Sequence, residues 1–127
     1  MSRRELLGRA FVVGAWVVVV DVVIQVLLAG FGIFADPSWF FVHAAVNAAI
    51  IFFLPLVLLL VGRFAGVPGR TLRLMAAVPG LVIVQSLLLI PYHVAVQGPP
   101  RAISGLHAAN ALVLFWVALL VLERTRA

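Results

Sequence analysis

The stretch FVVGAWVVVVDVVIQVLLAGFGIF, residues 11–34, decides the fold. Over 24 residues it carries one charged side chain, Asp21. A helix rises about 1.5 Å per residue, so about 20 apolar residues cross the hydrocarbon core of a bilayer. Arg3, Arg4 and Arg9 precede the run as they would in a signal peptide. A signal h-region is only roughly 7–15 residues long, however, and no small-x-small cleavage site follows this one. It reads as a membrane span. Three further segments qualify on the same grounds, at about 39–61, 74–96 and 102–122. They are separated by Asp36-Pro37-Ser38, by Gly62-Arg63 with Gly66 and Pro68-Gly69-Arg70, and by Gln97-Gly98-Pro99-Pro100-Arg101. Pro55, Pro79 and Pro91 fall inside spans and predict kinks, with neighbouring helices satisfying the freed backbone groups. The predicted fold is therefore all-α: one domain over 1–127, a four-transmembrane-helix bundle.

Composition agrees. Hydrophobic residues make up 65% of the chain and charged residues 10%, where a soluble domain carries about 25% charged residues. The absence of cysteine removes disulfides, thiolate metal sites, iron–sulfur clusters and covalent c-type haem attachment together. The net charge of +5 does not point to nucleic acid, because the cations sit at the ends of apolar segments and not on one folded polar face. All nine basic residues are arginine. In an alternating four-span topology Arg3, Arg4, Arg9, Arg63, Arg70, Arg73, Arg124 and Arg126 fall on one side and only Arg101 on the other. The positive-inside rule makes the first side cytoplasmic, with both chain ends there and with Trp39 and Tyr92 near the opposite interface. The expected location is a bacterial inner membrane, with lipid as the chief partner.

The two halves also read alike. Spans 1 and 3 each carry a mid-membrane glutamine, Gln25 and Gln85. Span 2 contains His43-Ala44-Ala45-Val46-Asn47-Ala48, and span 4 His107-Ala108-Ala109-Asn110-Ala111. The expectation is a repeated helical hairpin with a pseudo-two-fold axis along the membrane normal.

Polar groups are costly in lipid and turn toward a bundle interior. Counting residues from the outer ends places Gln25, Asn47, Gln85 and Asn110 near one level, about 14 Å deep, and His43 and His107 together at about 9 Å. Amides at such positions serve as interhelical glue, and that reading stays open for all four. Paired imidazoles at one depth on the second and fourth helices, diagonal in a sequential bundle, are the arrangement that clamps haem iron from both faces. Ala44, Ala45, Ala108 and Ala109 leave the backbone uncrowded there. Gly30 and Gly32 are expected to leave room for the edge of a flat macrocycle, Asn47 and Asn110 to orient the imidazoles, and Arg101 with Tyr92 to meet haem propionates. His93, near the outer boundary, is an interfacial residue or, in the alternative, a third ligand with His43 and His107 for Zn²⁺ or Cu²⁺. Asp21 shares a face with Gln25 at i, i+4. A charge is expensive at its depth, so it reads as a proton-relay group or as a neutral carboxyl bonded to Gln25 or a neighbouring helix.

The order Gln25, Ala29-Gly30-x-Gly32-x-Phe34, His43, Gln85 and Leu106-His107-x-x-Asn110-Ala111 resembles a family of small four-span membrane proteins of the actinobacterial type. That resemblance implies topology and no activity. Through His43 and His107 alone the bundle also resembles four-helix membrane b-type cytochromes, although it lacks the second histidine pair of a two-haem conduit. The expected function is a small b-type haem protein for electron transfer or redox sensing, with a quinone or another redox partner and room for homodimerisation. The alternatives are a non-enzymatic accessory protein and a histidine-based metal site or transporter. No motif supports hydrolase, transferase or nucleotide chemistry, so an electron carrier or accessory subunit is expected in preference to a stand-alone enzyme.

Overall fold

A computed structural model describes residues 1–126; Ala127 and the side chain of Arg126, one of the eight arginines assigned to one side, lie outside the described residues. Ser2 starts the first helix. Its Oγ accepts the Glu5 N–H at 3.2 Å and its own N–H donates to Glu5 Oε2 at 2.7 Å, which satisfies two amide donors that a helix N-terminus leaves free. Helix α1 then runs unbroken over Arg3–Phe34. Helix α2 covers Trp39–Ala65, α3 Gly69–Leu87 with a short helical turn at Ile90–His93, and α4 Leu106–Arg126, preceded by a 3₁₀ helix at Pro99–Gly105. Among the described residues four helices are long and apolar enough to cross a membrane, as in a multi-pass membrane protein.

The helices form a ring in chain order: α1 packs on α2, α2 on α3, α3 on α4, and α4 back on α1, so that α1 faces α3 and α2 faces α4 across the diagonals. Phe11, Ala15, Val18, Leu58, Met75, Val78, Ala118 and Val121 fill the end of the bundle that carries most of the arginines. Lipid is as apolar as these side chains, so close packing, and not transfer out of water, holds such a core. Small residues permit the approach. A Cβ at Gly14 would strike Leu58, and one at Gly62 would come within 2.8 Å of the Phe11 ring. Outward-facing Val13, Phe53, Leu60, Leu112 and Trp116 present an apolar exterior, as a lipid-facing surface requires.

Helix α2 ends on Gly66 in the left-handed region (φ 78°), with Val67 N–H donating to Gly62 O at 2.9 Å and Gly66 N–H to Arg63 O at 3.2 Å. Only glycine adopts that cap without strain. Arg4 of α1 reaches across to the same terminus and donates from Nε to Ala65 O at 2.9 Å, supplying a donor to a carbonyl the helix end leaves free.

Two departures from regular helix lie at the opposite, histidine-bearing end. Residues Val42–Asn47 of α2 are π-helical, with Ala48 N–H donating to His43 O. Helix α3 stops at Leu87: the Leu89 N–H turns to Ser86 O at 3.2 Å, and Pro91 has no N–H to continue the ladder. The kinks predicted at Pro55 and Pro79 fall inside continuous helix, whereas Pro91 accompanies a break. The third span is accordingly shorter as regular helix than the 74–96 expected, and α1 and α2 extend past the predicted spans to Arg3 and Ala65.

Candidate functional site

Apart from buried Thr71 at the arginine end, the hydrogen-bonded amides and imidazoles of the spans gather at the histidine end, in two sets with the same connections. On α1 and α2, His43 Nδ1 lies 2.9 Å from Gln25 O, and Asn47 Nδ2 donates to Gln25 Oε1 at 2.7 Å and to Asp21 O at 3.1 Å. On α3 and α4, His107 Nδ1 lies 2.9 Å from Gln85 O, and Asn110 Nδ2 donates to Gln85 Oε1 and, at 3.0 Å, to Leu81 O. In each set one glutamine does two things: its carbonyl anchors the imidazole and its side chain receives the asparagine. The asparagines, 4% and 9% exposed, therefore hold the glutamines and the helix register. They were expected to orient the imidazoles, but the ring anchors are backbone carbonyls.

Sequence spacing explains the π segment. His43 and Asn47 are four residues apart, His107 and Asn110 three. A π turn closes i→i+5 and so holds one residue more than an α turn. The extra residue in α2, half-exposed Val46 at the alignment of HAAVN with HAAN, is taken up there, and the histidine and asparagine reach equivalent partners in both hairpins.

The carbonyl anchors settle which ring nitrogen carries the proton. A carbonyl only accepts, so Nδ1 of each neutral imidazole is the donor, and Nε2 retains its lone pair on the far side of the ring. The two rings approach across the α2–α4 diagonal with centroids 6.3 Å apart and planes tilted by 56°. Both line one cavity of about 100 Å³, together with Ala44, Ala48, Val82, Ser86 and Leu89.

The remaining candidates divide. Gly30 faces open space, but a Cβ at Gly32 would lie 2.8 Å from the Phe40 ring; Gly32 is the seat for Phe40 and leaves no room for a macrocycle. Arg101 places its guanidinium 5.2 Å from the centre of the Tyr92 ring, a cation–π contact at the histidine end. His93 packs edge-on to Tyr92, with ring centres 5.6 Å apart. It does not join His43 and His107: among the described residues no three His, Cys, Asp or Glu side chains come together as a metal site. Asp21 is buried, 6% exposed, and its Oδ2 has no hydrogen-bond partner among the described residues. The expected bond from its carboxyl to Gln25 is not among the contacts of that oxygen. Sequence reading missed the anchoring carbonyls of Gln25 and Gln85. The four-versus-three spacing was the available signal.

Two imidazoles could serve as donors to a haem iron, but the cavity they line, about 100 Å³, is smaller than a porphyrin, and among the described residues no third or fourth side chain joins them.

Comparison with known proteins gives a family and no activity. Neither a curated protein nor a solved structure matches the chain. A family of unknown function, DUF6220, matches residues 25–91, from Gln25 through His43, Asn47 and Gln85 to Pro91. That match covers more than half of the 127 residues, and the chain belongs to the DUF6220 family.

Proposed function

We propose that this protein is a small membrane haem protein, a one-electron carrier or redox sensor, with His43 and His107 as axial ligands of a single b-type haem. The observation that carries this reading is the pair of facing imidazoles. Each ring has its Nδ1 against a backbone carbonyl, and both rings line one cavity. A Lewis acid answers that arrangement, and a second imidazolium proton at this depth would be costly. When bound, the haem supplies one-electron redox chemistry at its iron. The protein holds both rings in one tautomer before the ligand arrives, surrounds them with apolar side chains, and keeps bulk water from the arginine end. Arg101, Tyr92 and the buried, unpartnered hydroxyl of Ser104 are the groups suited to the propionates.

The polar residues belong to one half of the bundle, so a single haem there does not carry electrons across the membrane. A quinone or a redox protein on the histidine side completes the path. The arginine side is the cytoplasmic face of a bacterial inner membrane in this reading, and the matched sets of contacts are two copies of one ancestral hairpin. The accessory-protein alternative accounts for the amides, whose bonds lie within hairpins, but gives no role to the approach of the two imidazole rings to 6.3 Å.

The test is the absorption spectrum of detergent-purified protein from a haem-replete host. A reduced-minus-oxidised b-type difference spectrum, lost in His43→Ala and in His107→Ala, is expected. A colourless, folded protein overturns the proposal.

A further inference from the structure

The arginine end carries a groove that the histidine site does not use. Glu5, Gly8, Arg9, Val12 and Val13, all on one face of α1, line an open depression of about 560 Å³. Gly8 leaves its middle clear, since a Cβ built there meets nothing within 4 Å. The i, i+4 spacing sets Glu5 and Arg9 on the same side of the helix, one turn apart. Glu5 Oε2 accepts the Ser2 N–H at 2.7 Å. Arg9 is exposed and, unlike Arg4 with its bond to Ala65 O, pairs with no other described residue.

The order of chemistry along this face is specific. Arg9 is the last charged residue before an apolar run that reaches Val20. Beyond Val12 the face continues through exposed Val13, Val20 and Val23. At 1.5 Å per residue, Val13 to Val23 covers about 15 Å, half of the ~30 Å hydrocarbon core and so the depth of one leaflet. Glu5 lies on the other side of Arg9, about 6 Å further from the hydrocarbon. Going outward, the face reads apolar, cation, anion. A phospholipid with an aminoethyl headgroup reads acyl chain, phosphate anion, ammonium cation in the same direction. Each of its groups meets a complement at its own depth. A second copy of α1 laid alongside in parallel would instead set like charges against each other at equal depth.

We infer that this groove is a phospholipid site selective for the ethanolamine headgroup. Arg9 donates to the phosphate oxygens and Glu5 accepts from the primary ammonium, both as charge-assisted hydrogen bonds. Gly8 leaves the space for the linker between them, and an acyl chain follows Val12, Val13 and Val20. A choline headgroup has no N–H to give Glu5, and a glycerol headgroup offers it no cation. The site lies at the opposite end of the bundle from His43 and His107 and is independent of the haem reading.

The experiment is native mass spectrometry of the full chain in mild detergent. It is titrated in turn with phosphatidylethanolamine, phosphatidylcholine and phosphatidylglycerol of one acyl composition. The ethanolamine lipid is expected to bind in preference to the other two. Glu5→Gln keeps the capping box, which accepts either residue at that position. It should weaken the ethanolamine lipid by about fivefold, the effect of one charge near a membrane surface, and leave the glycerol lipid bound as well or better. Arg9→Gln should weaken all three. Gly8→Leu, whose Cβ meets no neighbour, should fill the groove and lose the lipid with helix content unchanged by circular dichroism. Arg3→Gln, outside the groove, should keep the wild-type preference. Equal retention of the three lipids, or a preference that survives Glu5→Gln, marks an ordinary annular contact and overturns the assignment. A dimer that forms in place of the lipid adduct and is lost in Gly8→Leu overturns it too.

Discussion

The two hairpins reach one geometry by different local means, and the contrast separates what the site requires from what the helices tolerate. In the first hairpin α1 is continuous and α2 absorbs an extra residue as a π turn. The Gln25 carbonyl, deep within α1, accepts the imidazole on its second lone pair. In the second hairpin α4 is regular and α3 is the broken element. Gln85 lies in the last turn of α3, where carbonyls lack intrahelical donors, so His107 fills a vacancy that the break creates. One hairpin bends the histidine helix, the other the glutamine helix. The invariant is the set of bonds joining imidazole, glutamine and asparagine.

Removing an imidazole should have the largest effect. His43→Ala and His107→Ala are each expected to abolish the haem spectrum while leaving the bundle folded, as checked by far-ultraviolet circular dichroism. Equal loss from both sides keeps the hairpins equivalent; retention of colour in one variant would make them unequal. The next test acts on the π turn. Deleting Val46 should convert Val42–Asn47 to regular α-helix with His43 and Asn47 still in place, and so preserve the spectrum. Deleting Ala49, outside the π segment, rotates the histidine by about 100° at 3.6 residues per turn and should remove it.

Smaller effects come from the amides. Asn47→Leu and Asn110→Leu each strand a glutamine oxygen and a backbone carbonyl. Unfolding in detergent should show losses of about 0.6–1.7 kcal/mol apiece, the range measured for hydrogen bonds between membrane helices, and a double variant should be additive if the hairpins act independently. The smallest concerns the turns. The first hairpin closes through Asp36, whose carboxyl accepts the Ser38 N–H at 2.7 Å. The Ser38 side-chain and backbone hydrogen bonds hold that carboxyl below the usual carboxylate range. Its stabilising contribution is thus present above the unfolded-state value and is lost as pH falls through the lower folded one. Asp36→Asn should remove this acid-side dependence, followed by NMR of the Ser38 amide, with no effect on the turn at Gly98.

These pairs also show how much was legible beforehand. Span number and helical class follow from run length, since an apolar segment of 20 or more residues has few other uses. That His43 and His107 would meet followed from counting depth on diagonal helices. Anchoring by Gln25 and Gln85 carbonyls did not, because every residue has a carbonyl and composition cannot single one out. Gly32 misled for a related reason: a glycine in a span serves a neighbouring ring as readily as a ligand, and only the position of Phe40 decides. Pro91 read as a kink because its effect depends on whether the carbonyls it frees find another donor.

The contact from Arg4 to Ala65 bears on how the chain is made. Its two partners are separated by 61 positions, and the donor leaves the ribosome first. It finds its acceptor only once the second segment has returned to the face from which the first set out. Closure at Gly66 therefore reports that the first two segments have paired, whatever the state of the rest of the chain.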